Sequence, residues 1–341
     1  MARILLPTIE EPGFKGGIAR YIEAIKTTFP GNVEVVEFAS LPKYEEMLKL
    51  FWRRRQDYDQ VWVHHVLPLG TTAMMARMLG GKPYVVFLHG LDFDLARQGF
   101  IREMLTRLIL RLAKKVVTNS VALAEEVRVF VPGVEVMTVY PCVNDEMINA
   151  AQTMESMDAK SSIDDVGLRL LTVARLVERK GHLLVLEVIK EMPGVSYDIV
   201  GEGAFKGEIE ARIQELGLGE RVKIWSGVDN ARLVEFYNEA DVFVMPAIKS
   251  MKDREGFGIV YLEAGLFGLP VIANRTPGVD EAVVDGVTGL LIDGSVDQLQ
   301  AAIAKLVNDV GLRQELGRQG RDRVLAEFTR LAQTAKLDGL L

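Results

Sequence analysis

Cysteine is nearly absent: Cys142 is the only one in the chain. An intramolecular disulfide is therefore excluded, and one thiol cannot build a metal site by itself. Long apolar runs are missing too; none reaches the roughly 18 residues that a membrane-spanning helix needs. The opening, MARILLPTIEEPG, passes straight into a strand-like run and a turn, without the apolar core and small-residue cleavage site of a signal peptide. The expectation is a cytoplasmic protein, with a peripheral contact at the inner face of a membrane left open. Excess positive charge is the third absence. The net charge is −7 and the pI is near 5.4, which disfavours a nucleic-acid binder.

What is present is core material. Of 341 residues, 49% are hydrophobic, enough for one large or two ordinary domains. Residues 1–150 hold 18 Lys and Arg against 17 Asp and Glu, while residues 151–341 hold 22 against 30. The halves differ by nine charges, which suits two domains with different tasks.

Short β-branched runs alternate with helical patterns. ARILLP (2–7), VEVVEF (33–38), QVWVHH (60–65), PYVVFLH (83–89), KVVTNS (115–120) and VEVMTVY (134–140) read as strands. Between them lie helices such as 17–28 and 101–113, the latter with Ile101, Met104, Leu105, Leu108, Ile109 and Leu112 at helical spacing. The polar stretch 145–167 reads as an interdomain connection. A second series follows, from RLLTVARL (169–176) through SYDIVGEG (196–203), RVKIWSG (221–227), DVFVMP (241–246) and PVIAN (270–274) to GLLID (289–293). Such alternation implies parallel sheets covered by crossover helices, hence an α/β chain of two Rossmann-like domains. Ligands in these folds bind beyond the carboxyl ends of the strands, and the cleft between two facing domains is the default site.

Several stretches at such ends carry chemistry. Gly16-Gly17 precedes a helix directly after the first strand, where free N–H groups and the helix dipole suit a phosphate; an ordinary turn fits as well. VARLVERKGH (173–182) sets Arg175 and Lys180 past a strand end as a candidate diphosphate clamp, against the bland reading of surface charge. GEGAFKG (201–207) resembles a dinucleotide fingerprint with its third glycine displaced, and Asp229 near the next strand end keeps that idea open. FLHGLDFD (87–94) ends a strand with His89 and adds Asp92 and Asp94, a pair able to hold a phosphate-bound metal; His64-His65 ends another strand. MLKLFWRRRQ (47–56) joins Phe51 and Trp52 to three arginines, either a core-facing helix with a solvated basic face or a patch for anionic lipid. Finally, EGFGIVYLEAGLFGLPVIA (255–273) brackets an apolar run with Glu255 and Glu263. Eight residues span roughly 12 Å if helical.

Taken in order, VARLVERKG, VGEG, VKIWSGV, ADVFVMPA, EGFGIVYLEAGLFGLPVIA and GVDEAVVDGVTGLL resemble the retaining GT-B glycosyltransferases of glycosyltransferase family four, the glycosyl transferases group 1. The resemblance covers nearly the whole chain and is strongest from 169 to 293. In the first half it rests on Gly16-Gly17, HGLD and VYPCVN. It implies a GT-B fold of two Rossmann-like domains facing across a cleft: 1–160 on the acceptor side, 161–321 holding a nucleotide-sugar donor, and a final helix within 322–341 returning to the first domain. It implies that Arg175 and Lys180 grip the diphosphate and that Glu255 lies near the sugar hydroxyls. The backbone of Gly256, Phe257, Gly258 and Ile259 approaches sugar and phosphate, and Glu263 takes the ribose hydroxyls. Val228 borders the base, His89 reaches the sugar, and Gly17 closes on the donor. It further implies transfer of a hexose with retention from a UDP- or GDP-sugar to a hydroxyl of a sugar or lipid-linked acceptor or of a small molecule, with no metal and no cofactor. A nucleotide-sugar epimerase, a non-catalytic sugar-nucleotide binder and, last, an NAD oxidoreductase are the other readings.

Overall fold

A computed structural model describes residues 2–9, 17–38, 43–155, 167–248 and 256–340. Gly16 and Glu255 lie outside the described residues. The chain forms two compact units, Met1–Cys142 with Arg330–Leu341 and Val143–Thr329.

The first unit holds a six-stranded sheet of β1 (Arg3–Thr8), β2 (Asn32–Glu37), β3 (Gln60–Val63), β4 (Tyr84–Leu88), β5 (Lys115–Thr118) and β6 (Val136–Thr138). Its order is β2-β1-β3-β4-β5-β6, every pairing parallel. All residues of β3 and β4 are buried, as expected where crossover helices cover both faces. The two-residue period sends Tyr84, Val86 and Leu88 into one core, and Val85 and Phe87 into another with Trp62. Leu337 and Leu340 complete that second core, and the Leu340 carbonyl accepts hydrogen bonds from Gln60 (2.8 Å) and Lys114 (2.6 Å). The chain's last residues therefore belong to its first unit.

The second unit repeats the plan with β7 (Leu168–Val173), β8 (Val195–Val200), β9 (Val222–Trp225), β10 (Val242–Met245), β11 (Val271–Asn274) and β12 (Gly289–Ile292). The order is β12-β11-β10-β7-β8-β9, again all parallel. Strands 7–9 run outward one way and strands 10–12 the other, so the order reverses between β7 and β10. That reversal is a topological switch point, where parallel sheets open a crevice at the carboxyl edge.

Three boundaries differ from the sequence reading. Part of the supposed connection, Asp145–Glu155, is helical, started by Asn144, whose side chain accepts the Met147 N–H at 2.7 Å. It packs on helices Asn230–Glu239 and Ile259–Leu266, so the units divide after Cys142 rather than after 160. The return to the first unit begins at Arg330, not 322, because Val310–Glu327 is one helix packed on Ile259–Leu266. A short 3₁₀ turn, Glu178–Lys180, precedes helix His182–Lys190. The basic-aromatic segment resolves as a core-facing helix, Tyr44–Arg53: Met47 and Phe51 are buried, and Arg54 forks onto Glu34 with two 2.6 Å bonds.

Candidate functional site

The loops after β7 and β10 flank the second unit's switch point, and they are laced together. Gly181 sits at φ 77°, and a Cβ there would lie 2.4 Å from the Pro246 carbonyl oxygen. Only glycine permits that backbone geometry and that approach. The Ile248 N–H donates to the Arg179 carbonyl at 2.7 Å. Asn274, the last residue of β11, donates from Nδ2 to the carbonyls of Pro246 (3.2 Å) and Ala247 (3.1 Å). Three strand ends thus share one hydrogen-bonded rim.

Arg175 is exposed on this rim, whereas Lys180 is only 7% exposed. A buried ammonium is costly without compensating anions or dipoles, which marks Lys180 as more than surface charge. Its field reaches His182: burial, then the Lys180 charge, push that imidazole down to about 4. The His182 ring lies 3.3 Å from the Tyr197 hydroxyl, which is 2.7 Å from Thr172 Oγ1, so the turn is braced from beneath by neutral groups.

After β10, Phe257 is buried and packs on Phe328 at 5.8 Å, with Gly258 following at φ 84°. A Cβ on Gly258 would lie 2.4 Å from the Tyr261 ring, whose hydroxyl donates to the Met245 carbonyl at 3.0 Å. The chain thus enters helix Ile259–Leu266, the one that follows β10, through a left-handed glycine, and the helix's first N–H groups and dipole face the carboxyl edge of the sheet. Half-buried Gly256 and Ile259 stand at this turn. One turn on, Glu263 is 2% exposed, and Tyr237 Oη donates to its Oε2 at 2.9 Å. Tyr237 is itself fixed by stacking on Phe267 at 5.3 Å.

The β8 loop corrects the dinucleotide reading. A Cβ on Gly201 would lie 1.8 Å from the Ala174 carbonyl oxygen, and one on Gly203 2.2 Å from that of Leu176. These glycines let the β8 loop press on the β7 loop, joined by Leu176 N–H to Glu202 O (2.8 Å) and Phe205 N–H to Leu176 O (3.0 Å). Asp229 is a helix cap that accepts the Arg232 N–H at 2.8 Å. Neither glycine pair nor acid is spent on a nicotinamide dinucleotide. Val228, half-buried, lies between Gly227 and this cap, past the end of β9.

In the first unit, imidazoles gather at the ends of β3 and β4. His64 is fully buried, with Nδ1 3.1 Å from His89 Nε2, and the two rings stack at 5.3 Å. Tyr21 meets His89 edge-on at 5.5 Å. His64 Nε2 is buried without a hydrogen-bond partner among the described residues. Donation from His64 Nδ1–H to His89 Nε2 leaves only an acceptor orphaned there; the reverse would orphan a buried N–H, the costlier arrangement. His64 thus fixes the His89 proton on Nδ1. Burial, aided by neighbouring imidazoles, keeps both rings neutral, His89 down to about 3 and His64 well below its ordinary value.

Asp92 and Asp94 are each engaged within the protein. Asp92 accepts the His89 N–H at 2.9 Å, and burial lifts its carboxyl to about 6 against the pull of backbone N–H groups. Asp94 instead pairs with Arg97, which lies over the Phe93 ring. Among the described residues no group of three or more His, Cys, Asp and Glu could hold a metal. Gly17 opens helix Gly17–Thr28.

A family model for glycosyl transferases group 1 matches residues 153–323, and one for a glycosyl transferase 4-like domain matches residues 16–142. The chain belongs to the glycosyl transferases group 1. Among this family's curated members, a GDP-mannose-dependent alpha-(1-6)-phosphatidylinositol monomannoside mannosyltransferase of Mycolicibacterium smegmatis is 28% identical, over 99% of this chain and 98% of its own length. In fold, sucrose-phosphate synthase from Thermosynechococcus elongatus has a TM-score of 0.79 at 21% identity, covering 100% of this chain and 98% of its own. Anabaena HepE in complex with UDP and glucose has a TM-score of 0.78 at 19% identity, covering 100% and 99%. The GT-B expectation holds, and the protein is a glycosyltransferase.

Within the family's second domain, the structure brings Arg175, Lys180, Gly256, Phe257, Gly258, Ile259 and Glu263 to the two strands flanking one switch point. Val228 stands two strands away, past β9. Sequence reasoning missed Asn274, Tyr237 and His64's hold on His89. Asn274 was discoverable as the polar residue ending the apolar run PVIAN; Tyr237, 26 residues before Glu263, carries no spacing signal.

Proposed function

We propose that this glycosyltransferase transfers a hexose with retention from a nucleoside-diphosphate sugar to a hydroxyl of a sugar or lipid-linked acceptor, without a metal, on the cytoplasmic side of a membrane. The observation that carries the donor site is the pairing, at one switch point, of the nearly buried Lys180 with a glycine-opened helix start and a buried Glu263 held by Tyr237. Charge develops on the leaving diphosphate as the anomeric C–O bond breaks. Lys180, Arg175 and the helix start after Gly258 are cations and dipoles suited to meet that charge. Glu263 takes the ribose hydroxyls. The acceptor oxygen bonds to the anomeric carbon on the face the phosphate leaves, and its proton passes to a phosphate oxygen. His89 orients the sugar through Nδ1–H. Glu255 at the sugar hydroxyls and Gly17, beside Gly16, at the donor complete the proposal in the roles the family resemblance implies.

GDP-mannose is the first donor to test, because the full-length mycobacterial relative is named for it; UDP-hexoses are the comparison. Proton NMR of the first-formed product decides the stereochemistry. Retention of the donor's anomeric configuration is expected, and inversion overturns the mechanism. A new sugar isomer formed from donor alone, with no acceptor, favours an epimerase instead.

A further inference from the structure

Helix Phe100–Leu112 has two apolar faces, and only one is used by the core. Thr106, Ile109 and Leu110 are buried, with Leu105 and Ala113 packed beside them. The outer face carries Phe100 (77% exposed), Ile101 (80%), Met104 (55%), Leu108 (44%) and Leu112 (44%). At four-residue spacing these side chains form one stripe along the whole helix, roughly 18 Å long. The adjoining helix Thr71–Met78 ends in two further exposed apolar residues, Met78 (68%) and Leu79 (64%). Contiguous apolar surface on this scale marks an interaction site.

Charge indicates the partner. Residues 97–115 carry six Arg and Lys and one acid, Glu103, within a chain of net charge −7. Arg107 bonds Glu103, Arg97 pairs with Asp94 and Glu126, and Lys115 pairs with Glu135. Arg102 and Arg111 stay exposed on the same helix as the stripe. An isologous contact centred on this helix would gather the like-charged arginines of both copies in one interface. Apolar side chains flanked by cations instead match the acyl–headgroup boundary of an anionic bilayer, where such a helix lies in the plane of the interface.

We propose that the outer face of Phe100–Leu112 docks this protein on anionic lipid. The contact is peripheral and does not depend on which donor or acceptor is used. It also moves the lipid-facing element from the segment 47–56, whose Phe51 is in the core and whose Arg54 is held by Glu34.

Flotation of the full chain with vesicles tests this. One set is phosphatidylcholine alone; the other contains roughly one third phosphatidylglycerol. The protein should float with the anionic vesicles only, and less so as salt rises. Ile101→Asp combined with Met104→Asp should cut the bound fraction about tenfold or more, and Arg102→Gln or Arg111→Gln about fivefold each. Donor affinity and melting temperature should stay unchanged in all of these exposed-site variants. Equal binding to both vesicle types, no binding to either, or retained binding in the Asp double variant would overturn the proposal. So would loss of a wild-type dimer in that variant by light scattering, which would give the face to a second copy of the chain.

Discussion

Around the β7/β10 switch point the loops bring Arg175, Lys180, Gly258 and Glu263, a set of charges and helix dipole. At the strand ends of the first unit stand His64, His65 and His89, kept neutral by burial, with His64 and His89 locked together by stacking and a hydrogen bond. The same parallel-sheet plan therefore serves two electrostatic purposes. One edge gathers charge of the kind an anion needs, while the other presents neutral imidazoles, with the proton placed within the His64–His89 pair. Anion binding needs few residues at fixed places, so it leaves a sharp motif. Neutral orientation can be achieved in many ways and leaves a weak one.

The largest expected contrast is in acid stability. An imidazole held neutral has a folded pKa below its unfolded 6.5. Its contribution is complete above that value and is lost as pH falls through it toward the folded pKa. Each such group costs roughly 1.4 kcal/mol per pH unit. The first unit has three, partly offset as Asp92, lifted to about 6, takes up its proton; the second has only His182. Hydrogen exchange between pH 7 and 5 should show the first unit losing several kcal/mol while the second loses about 2. Uniform loss across both units would break the contrast.

Next comes Lys180→Ala, expected to lower turnover about 10²–10³-fold, in keeping with removal of one preorganised charge-stabilising group. Steady-state kinetics with a verified acceptor would expose a wrong assignment if turnover were unchanged. Glu263→Gln should weaken donor binding by roughly 10–100-fold, and Tyr237→Phe by only about two- to tenfold. Calorimetry on the free protein measures both; an equal loss in the two variants would mean that Glu263 serves only Tyr237. The smallest effect is His64→Phe, which keeps ring volume but removes the proton donor to His89. Turnover should fall about tenfold or less with donor affinity retained, and nitrogen NMR should show the His89 proton no longer confined to Nδ1. A wild-type His89 protonated on Nε2 would contradict the assigned tautomer.

Much of this was legible in the sequence, for physical reasons. Fully buried parallel strands leave apolar runs such as VWV and VFVM, and crossover helices separate them at regular intervals, so two Rossmann-like series could be read directly. Lys180 and Glu263 stood out because charge beside apolar segments is rare. The outer stripe of Phe100–Leu112 did not stand out: Ile101, Met104, Leu108 and Ile109 all fit a helical period, and periodicity cannot say which of two apolar faces the core takes. Asp145–Glu155 was hidden by its polarity, because its helix is fixed by packing and a cap rather than by a strong apolar stripe. The glycines of GEGAFKG misled for a related reason. Close approach of backbone to backbone demands the same residue as close approach of backbone to phosphate.

The central claim is that the second unit's switch point binds a nucleoside diphosphate through its phosphates at Lys180 and its ribose at Glu263. Calorimetric titration of the wild type, Lys180→Ala and Glu263→Gln with GDP and with guanosine tests it most directly. The account predicts that Lys180→Ala erases most of the advantage of GDP over guanosine, whereas Glu263→Gln weakens both ligands alike. An undiminished preference for GDP in Lys180→Ala would contradict it.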